Sequence, residues 1–280
     1  MSEGAVTAMK KLAIIVLATA GLSLLLAWST PAYGDPYPGP ATQAEKPSSA
    51  PMPTIAPTAT PEPTSTGLPT WMKRYWGRRV HRVLTSKRVV ALTFDDGPNF
   101  RTKTAVRILD SYGAKGTFFA IGTCSKAPNM AAANRYVIAH GHELANHTMH
   151  HDRLDGTFAH SLAVINSLEK LLKAQTGKGT TWVRAMGGDV TATGLRATRT
   201  SGHLYAQWSV SSGDAVVRYT PPDELYHHVV DHIRPGSIVL MHVTHAETLA
   251  ALPRICRELK RRGYKMVTLS ELAPLGNPYP

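Results

Sequence analysis

Beyond residue 70 the chain alternates short apolar runs with longer amphipathic ones. Arg88–Phe94 (RVVALTF) is rich in β-branched residues and ends in Asp-Asp-Gly-Pro, which predicts a strand running into a loop. Thr102–Tyr112 sets Val106, Ile108, Leu109 and Tyr112 at near-helical spacing and stops at Gly113. Lys115–Ile121 predicts a second strand, and Asn129–Ala139 a second helix closed by Gly141. The longest helix is predicted over Phe158–Thr176, with Leu162, Ile165, Leu168, Leu171 and Leu172 on one face. Thr181–Arg184, His203–Val210 and Ser237–Met241 predict further strands, Pro222–Ile233 and Ala246–Arg262 further helices, and Tyr264–Val267 a last strand. Repeated strand–helix alternation predicts an α/β fold, a parallel sheet or barrel, with its site at the C-terminal strand ends.

The first seventy residues follow neither period. Lys10 and Lys11 precede an apolar run from Leu12 to Trp28, followed by Ser-Thr-Pro and Ala32-Tyr33-Gly34. A basic start, an apolar centre and a small-residue end make residues 1–34 a signal peptide, its pattern lying over about 9–34. Left uncleaved, the same run is just long enough to be a membrane anchor. The rest of the chain is therefore expected outside the cytoplasm, secreted or cell-wall associated, and held at the membrane only if that segment stays on. Ten of the twenty prolines fall within 35–70. This Pro/Thr/Ala-rich stretch has too few large apolar residues to offset its chain entropy, so it is expected to be an extended linker. Residues 71–280 remain for the folded domain, with a core over about 88–272.

Composition sharpens this. At 43% hydrophobic residues the chain can build a core, which excludes a wholly disordered protein. The formal net charge of +12 lies wholly beyond residue 70, the first seventy residues being slightly net negative, and it favours polyanions. Export makes nucleic acid an unsuitable partner and an anionic cell-wall polymer a suitable one. Cys124 and Cys256 carry no C-x-x-C spacing and leave their pairing open.

Three polar groups stand at predicted strand ends. Asp95 and Asp96 are adjacent carboxylates that share one cavity only across a bend, which Gly97-Pro98 can supply; so close together, they call for a cation. His147 and His151 stand four residues apart, a spacing that on one helical turn offers two imidazoles to one ion. Two histidines and one carboxylate suit a divalent metal with positions left open, zinc ahead of cobalt, manganese or nickel. His140, His142 and His150 read as solvated. His242 closes the apolar strand Ile238–Met241 as an imidazole able to exchange a proton near neutral pH.

Thr-Phe-Asp-Asp-Gly-Pro, then His-Thr-x-x-His about fifty residues on, then Leu-x-His, resembles the polysaccharide deacetylase family (NodB-homology domain, carbohydrate esterase family four) over about Arg88–Leu272. The resemblance implies a distorted (β/α) barrel and metal-dependent removal of acetyl groups from sugar polymers. It implies Asp95 as general base, Asp96, His147 and His151 as metal ligands, His242 as general acid and Leu240 as the apolar wall beside the acetyl methyl. The family's Arg-x-Pro-x-Gly segment falls on Arg184–Gly188, so Arg184 orients Asp95 and Gly187 offers a backbone N–H while standing where a tyrosine is usual. Trp208–Ala215 resembles a further motif, with Trp208 lining the substrate groove, Ser211 and Ala215 replacing its acid and its tryptophan, and Asp214 left as a partner for His242.

The function these residues imply is a secreted metal-dependent N-deacetylase of N-acetylglucosamine- and N-acetylmuramic-containing polymers, peptidoglycan first among them. A catalytically weak or inactive wall-binding protein on the same fold is the alternative from another class, motivated by Gly187, Ser211 and Ala215. An O-acetyl xylan esterase is the alternative within the family.

Overall fold

The computed structural model describes residues 64–216 and 219–279. The segment read as signal peptide or anchor and most of that read as linker lie outside them. No helix among the described residues is long and apolar enough to cross a membrane. The first helix among the described residues is α1 (Thr70–Tyr75), whose Met72 and Tyr75 are buried. Two short strands, β1 (Arg79–Val80) and β2 (Val83–Leu84), lead into the long β3 (Val89–Gly97). Strands and helices then alternate through α2 (Thr102–Ser111), β4 (Gly116–Ala120), α3 (Gly122–Lys126), α4 (Met130–Ala139), β5 (Glu143–Asn146) and α5 (Phe158–Thr176). They continue through β6 (Trp182–Val183), α6 (Ala192–Thr200), β7 (Leu204–Ala206), β8 (Val210–Ser211), α7 (Pro222–Val230) and β9 (Ile238–His242). The chain closes with α8 (Ala246–Arg261), β10 (Lys265–Val267), α9 (Leu269–Leu272) and β11 (Asn277–Pro278), the last pairing antiparallel with β2.

The main sheet is parallel, in the order β1-β7-β6-β5-β4-β3-β9-β8, with β10 also on β3. The expected single strand His203–Val210 is two strands. Its first half, β7, pairs β6 and β1; its second, β8, pairs β9 at the other end of the order. Residues 207–209 join the halves, Gln207 N–H donating to Val80 C=O (2.8 Å) and Ser209 N–H to Ile238 C=O (3.0 Å). One run of chain thus touches both edges of the sheet and curls it into a distorted (β/α) barrel.

Beyond the short α1, β1, β2, α3, α9 and β11, two elements of the barrel, β5 and α6, escape the hydrophobic pattern. The four residues of β5 are too short for a period, and α6 is made mostly of Thr, Arg, Ala and Gly. α6 needs its glycine, because a Cβ on Gly194 would lie 2.2 Å from Leu154 C=O.

Strand alternation sorts the side chains into two layers. Val90, Leu92, Phe94, Phe118, Leu144, Val183, Val239 and Met241 pack outward under the helices. Val89, Ala91, Phe119, Ala145, Trp182, Leu204, Ala206 and Ile238 face inward with Met72, Tyr75 and Leu272. The inward parity, followed to the C-terminal strand ends, reaches Asp95, His147, Arg184, Trp208 and, through Leu240, His242. Period two alone aims these side chains into one mouth.

Candidate active site

Asp95 and His242 are register partners on neighbouring strands β3 and β9. Each is braced from below or behind. Arg184, fully buried, donates from Nη1 to Asp95 Oδ1 (2.8 Å) and to Thr93 Oγ1 (2.9 Å). Its remaining donors reach Ala206 C=O (3.3 Å) and Gln207 C=O (3.0 Å), and its guanidinium lies 4.1 Å from the Phe119 ring centroid. A buried charge without such partners would be strongly destabilising, on the order of 3–5 kcal/mol. Here every nitrogen is engaged, and Asp95 Oδ1 is fixed while Oδ2 is left facing His147, 3.6 Å away.

His242 donates from Nδ1 to Asp214 Oδ1 (2.8 Å), and its backbone N–H donates to Asp214 Oδ2 (2.7 Å). Thr248 Oγ1 adds a third bond to that carboxylate (2.6 Å). With Nδ1 committed, Nε2 is the nitrogen left for chemistry. Burial pulls the His242 pKa down, but Asp214, Asp95 and Asp96 outweigh it and hold the imidazole above its ordinary value. Burial likewise raises the Asp214 carboxyl, and the bonds from His242 and Thr248 bring it below the usual carboxylate range.

Asp96 enters the same mouth by a different route from the one expected. The bend sits at Asp96 itself, whose φ is +65°, and the β3–β4 register shifts between Phe94 and Gly97. That left-handed turn lets consecutive carboxylates share one cavity. The histidine pair also departs from expectation. His147 and His151 lie in the loop after β5, not on a helix, and Thr148 (φ +68°) and His151 (φ +60°) fold the loop back on itself. Asn146 holds the fold-back, its Oδ1 accepting from Thr148 N–H (2.9 Å).

The result is three ligand-type atoms converging. Asp96 Oδ1 lies 3.4 Å from His147 Nε2 and 3.3 Å from His151 Nε2, all potential donor atoms falling within 4.8 Å of one another. His147 Nδ1 donates to Arg184 C=O (2.8 Å), which leaves Nε2 as the bare nitrogen. Asp96 Oδ1 is buried and has no hydrogen-bond partner. An unmet buried oxygen costs about 1–3 kcal/mol, so it needs an explanation; two imidazole nitrogens and one carboxylate oxygen around one point fit a divalent cation. Burial would raise the Asp96 carboxyl, but His147, His242 and His151 hold it low, while burial and His147 lower the His151 pKa. Burial lowers the His147 pKa and the two carboxylates raise it, the net shift being upward; a divalent ion among them would replace that proton.

The remaining expected residues are placed as follows. Leu240 is buried on β9 with the inward parity of His242. Trp208 packs with its ring 5.5 Å from the Arg184 guanidinium and fills the space where a Cβ on Gly188 would project. Gly187 is exposed at φ +65° with nothing within 4 Å of a Cβ placed there. Ser211 and Ala215 are exposed. Thr93, Phe119 and Thr248 brace the site and escaped the sequence reading, although Thr93 and Phe119 share the inward parity that would have flagged them. Cys124 and Cys256 are both free thiols.

Comparison with known proteins decides the family. The sequence profile described as Polysaccharide deacetylase matches residues 82–206. A peptidoglycan-N-acetylglucosamine deacetylase of Bacillus cereus is 31% identical over 205 residues, covering 68% of this chain and 90% of that protein. A chitooligosaccharide deacetylase of Bradyrhizobium sp. is 32% identical over 225 residues, covering 70% and 95%. This chain belongs to the polysaccharide deacetylase family. Among solved structures, a peptidoglycan N-acetylglucosamine deacetylase in complex with a naphthalenyl N-oxidanyl-benzamide superposes with a TM-score of 0.67 at 25% identity, covering 75% of this chain and 98% of that one. The family's NodB-homology fold is the curled parallel barrel described above.

Proposed function

We propose that this polysaccharide deacetylase is a metal-dependent enzyme that hydrolyses N-acetyl groups on polymers of N-acetylglucosamine and N-acetylmuramic acid, peptidoglycan first among them, outside the cytoplasm. The observation that carries the reading is a pair of braced proton-transfer groups, Asp95 held by Arg184 and His242 held by Asp214, on adjacent strands beside Asp96, His147 and His151. The names of the relatives and the net charge of +12, suited to an anionic wall polymer, support the substrate.

A divalent cation held by Asp96, His147 and His151, zinc ahead of cobalt, manganese or nickel, would supply Lewis acidity to the acetyl carbonyl and a more acidic water. Asp95 Oδ2 accepts the proton of the attacking water, since Oδ1 is already tied to Arg184. His242, protonated at Nε2, delivers a proton to the departing nitrogen, which leaves poorly as an anion. Leu240 would offer an apolar surface to the acetyl methyl, and the exposed Gly187 would lend an N–H to the developing oxyanion.

The binding-only alternative rests on Gly187, Ser211 and Ala215. The buried Asp214, bonded to His242, supports the enzyme instead, because it supplies the imidazole with a carboxylate partner from within the altered segment. Acetate release from N-acetylglucosamine oligomers and from purified peptidoglycan, with and without added divalent metal, tests the reading. Metal-dependent release supports it. Release from acetylated xylan alone would make the chain an O-esterase, and no release from any polymer would leave a binding protein.

A further inference from the structure

Outside the mouth, four depressions succeed one another across the barrel where β7 passes into β8. One of about 400 Å³ beside Gly188 shares His81 with the next, of about 450 Å³. That one shares Arg82 and Ser209 with a third of about 220 Å³, which in turn shares Ser209 and His232 with a fourth of about 350 Å³. Shared walls make them one groove, centred on the exposed Ser209. The groove includes Trp208, whose ring lies 5.5 Å from the buried Arg184 guanidinium that braces Asp95, and it runs past Arg234 and Ser237 at the N-terminal start of β9.

Its chemistry is mixed aromatic and cationic. Tyr279 is 48% exposed and carries the Arg82 guanidinium over its ring at 4.8 Å. Arg82 Nε is buried without a hydrogen-bond partner. Neither Arg82 nor Arg234, both on the wall of the third depression, has a carboxylate within ion-pair distance among the described residues. The acids along the groove are already occupied: Asp155 and Asp189 by Arg153, and Asp231 by His227. Two uncompensated guanidinium groups beside two aromatic rings match a sugar strand carrying acid groups, the rings meeting pyranose faces and the cations meeting carboxylate or phosphate oxygens. Neutral glycans would use the aromatic faces only.

We propose that the groove from Trp208 through Tyr279, Arg82 and Arg234 is a binding site for the anionic stretch of a glycan whose acetylated sugar lies in the active-site mouth. It rests on the deacetylase reading for the direction of the strand. Arg82, His81 and Tyr279 come from the segments that flank the barrel, and they join it because β11 pairs with β2 and Tyr279 N–H donates to Arg82 C=O (2.9 Å).

The test uses the full chain and three insoluble glycans: peptidoglycan carrying its attached phosphate polymer, peptidoglycan stripped of it, and neutral chitin. Wild-type protein is expected to sediment with both peptidoglycans in a manner reversed by salt, and to prefer them to chitin. In the double variant Arg82→Gln/Arg234→Gln the ratio of kcat/KM for peptidoglycan to that for a neutral oligomer should fall about tenfold, and the salt dependence should flatten. Tyr279→Ala, a change at an exposed ring, should lower the same ratio less and guards against misfolding of the double variant. Loss confined to the phosphate-bearing material assigns the cations to phosphate, and equal loss on both peptidoglycans assigns them to carboxylate. Acetate release with an unchanged ratio in all variants overturns the groove and leaves the enzyme. Salt-dependent sedimentation that the variants lose, with no acetate from any glycan, leaves the groove and overturns the enzyme.

Discussion

The barrel carries two clusters of one aspartate and two histidines, one at each end of its strands. At the C-terminal ends, Asp96 meets His147 and His151; at the N-terminal ends, Asp110 meets His140 and His142. The residue types match, yet the clusters differ in what remains unmet. Asp110 accepts from Lys115 Nζ (2.9 Å) and from His140 Nδ1 (2.6 Å), and its Oδ1 lies 3.3 Å from His142 Nε2. Among the described residues Asp96 Oδ1 has no hydrogen-bond partner. A closed knot ties down secondary structure, while an open one waits for a ligand. Satisfaction of the oxygens, not the presence of histidine, separates a brace from a binding site.

The largest effects should come from testing that contrast directly. Asp96→Ala or His147→Ala is expected to abolish uptake of zinc in equilibrium dialysis and to reduce acetate release to background. Asp110→Ala should leave both intact. Equal metal uptake by the Asp96 and Asp110 variants would show that the open cluster is not the ligand set.

Next comes Asp95→Asn, which keeps the shape beside Arg184 but removes the proton acceptor. It should bind metal as the wild type does and lose about 10²–10⁴-fold in kcat. Full activity in this variant would remove Asp95 from the base role.

A smaller and more specific effect is expected for Asp214→Asn. Asp214 raises the His242 pKa against the downward pull of burial, so its loss leaves only Asp95 and Asp96 to oppose burial and the pKa falls. The acid form is then lost at a lower pH. The alkaline limb of the kcat profile should move to lower pH, with kcat reduced at neutrality and metal binding unchanged. A limb that stays in place would mean that another group donates the proton.

What the sequence revealed of this site follows from the same physics. The motif residues stood at strand ends, and period two then carried Asp95, Arg184, Trp208 and His242 to one side without further information. The bend at Asp96 and the loop of His147–His151 did not show, because positive φ at Asp96, Thr148 and His151 is imposed by tertiary contacts on residues that rarely adopt it unaided. β5 was hidden because it is four residues long and its inward side chains are only Glu143 and Ala145, so the strand that leads to the first histidine has no apolar stripe. His142 was misjudged as solvated for the converse reason: nothing local says that a histidine between Gly141 and Glu143 will be sealed under α2 and α4.

That sealed histidine gives the smallest effect and sharpens the comparison at its closed end. His142 Nδ1 accepts from Gly116 N–H (3.0 Å) and Nε2 faces Asp110, so the fold holds the neutral ring. Burial pushes its pKa down to about 4 from an ordinary 6.5, despite Asp110. A depressed imidazole is protonated more readily in the unfolded chain, so stability is full above 6.5 and falls as the pH drops toward about 4. The loss across that window is at most roughly 3 kcal/mol. Asp110, whose carboxyl is held below its usual range, contributes its loss only below that window. His142→Asn should be less stable than the wild type at neutral pH, since Gly116 N–H and Asp110 lose a partner, yet its stability should fall less between pH 6.5 and 4. Urea unfolding at several pH values reads the slope rather than the level, and an unchanged slope would mean that the acid sensitivity of this end lies elsewhere.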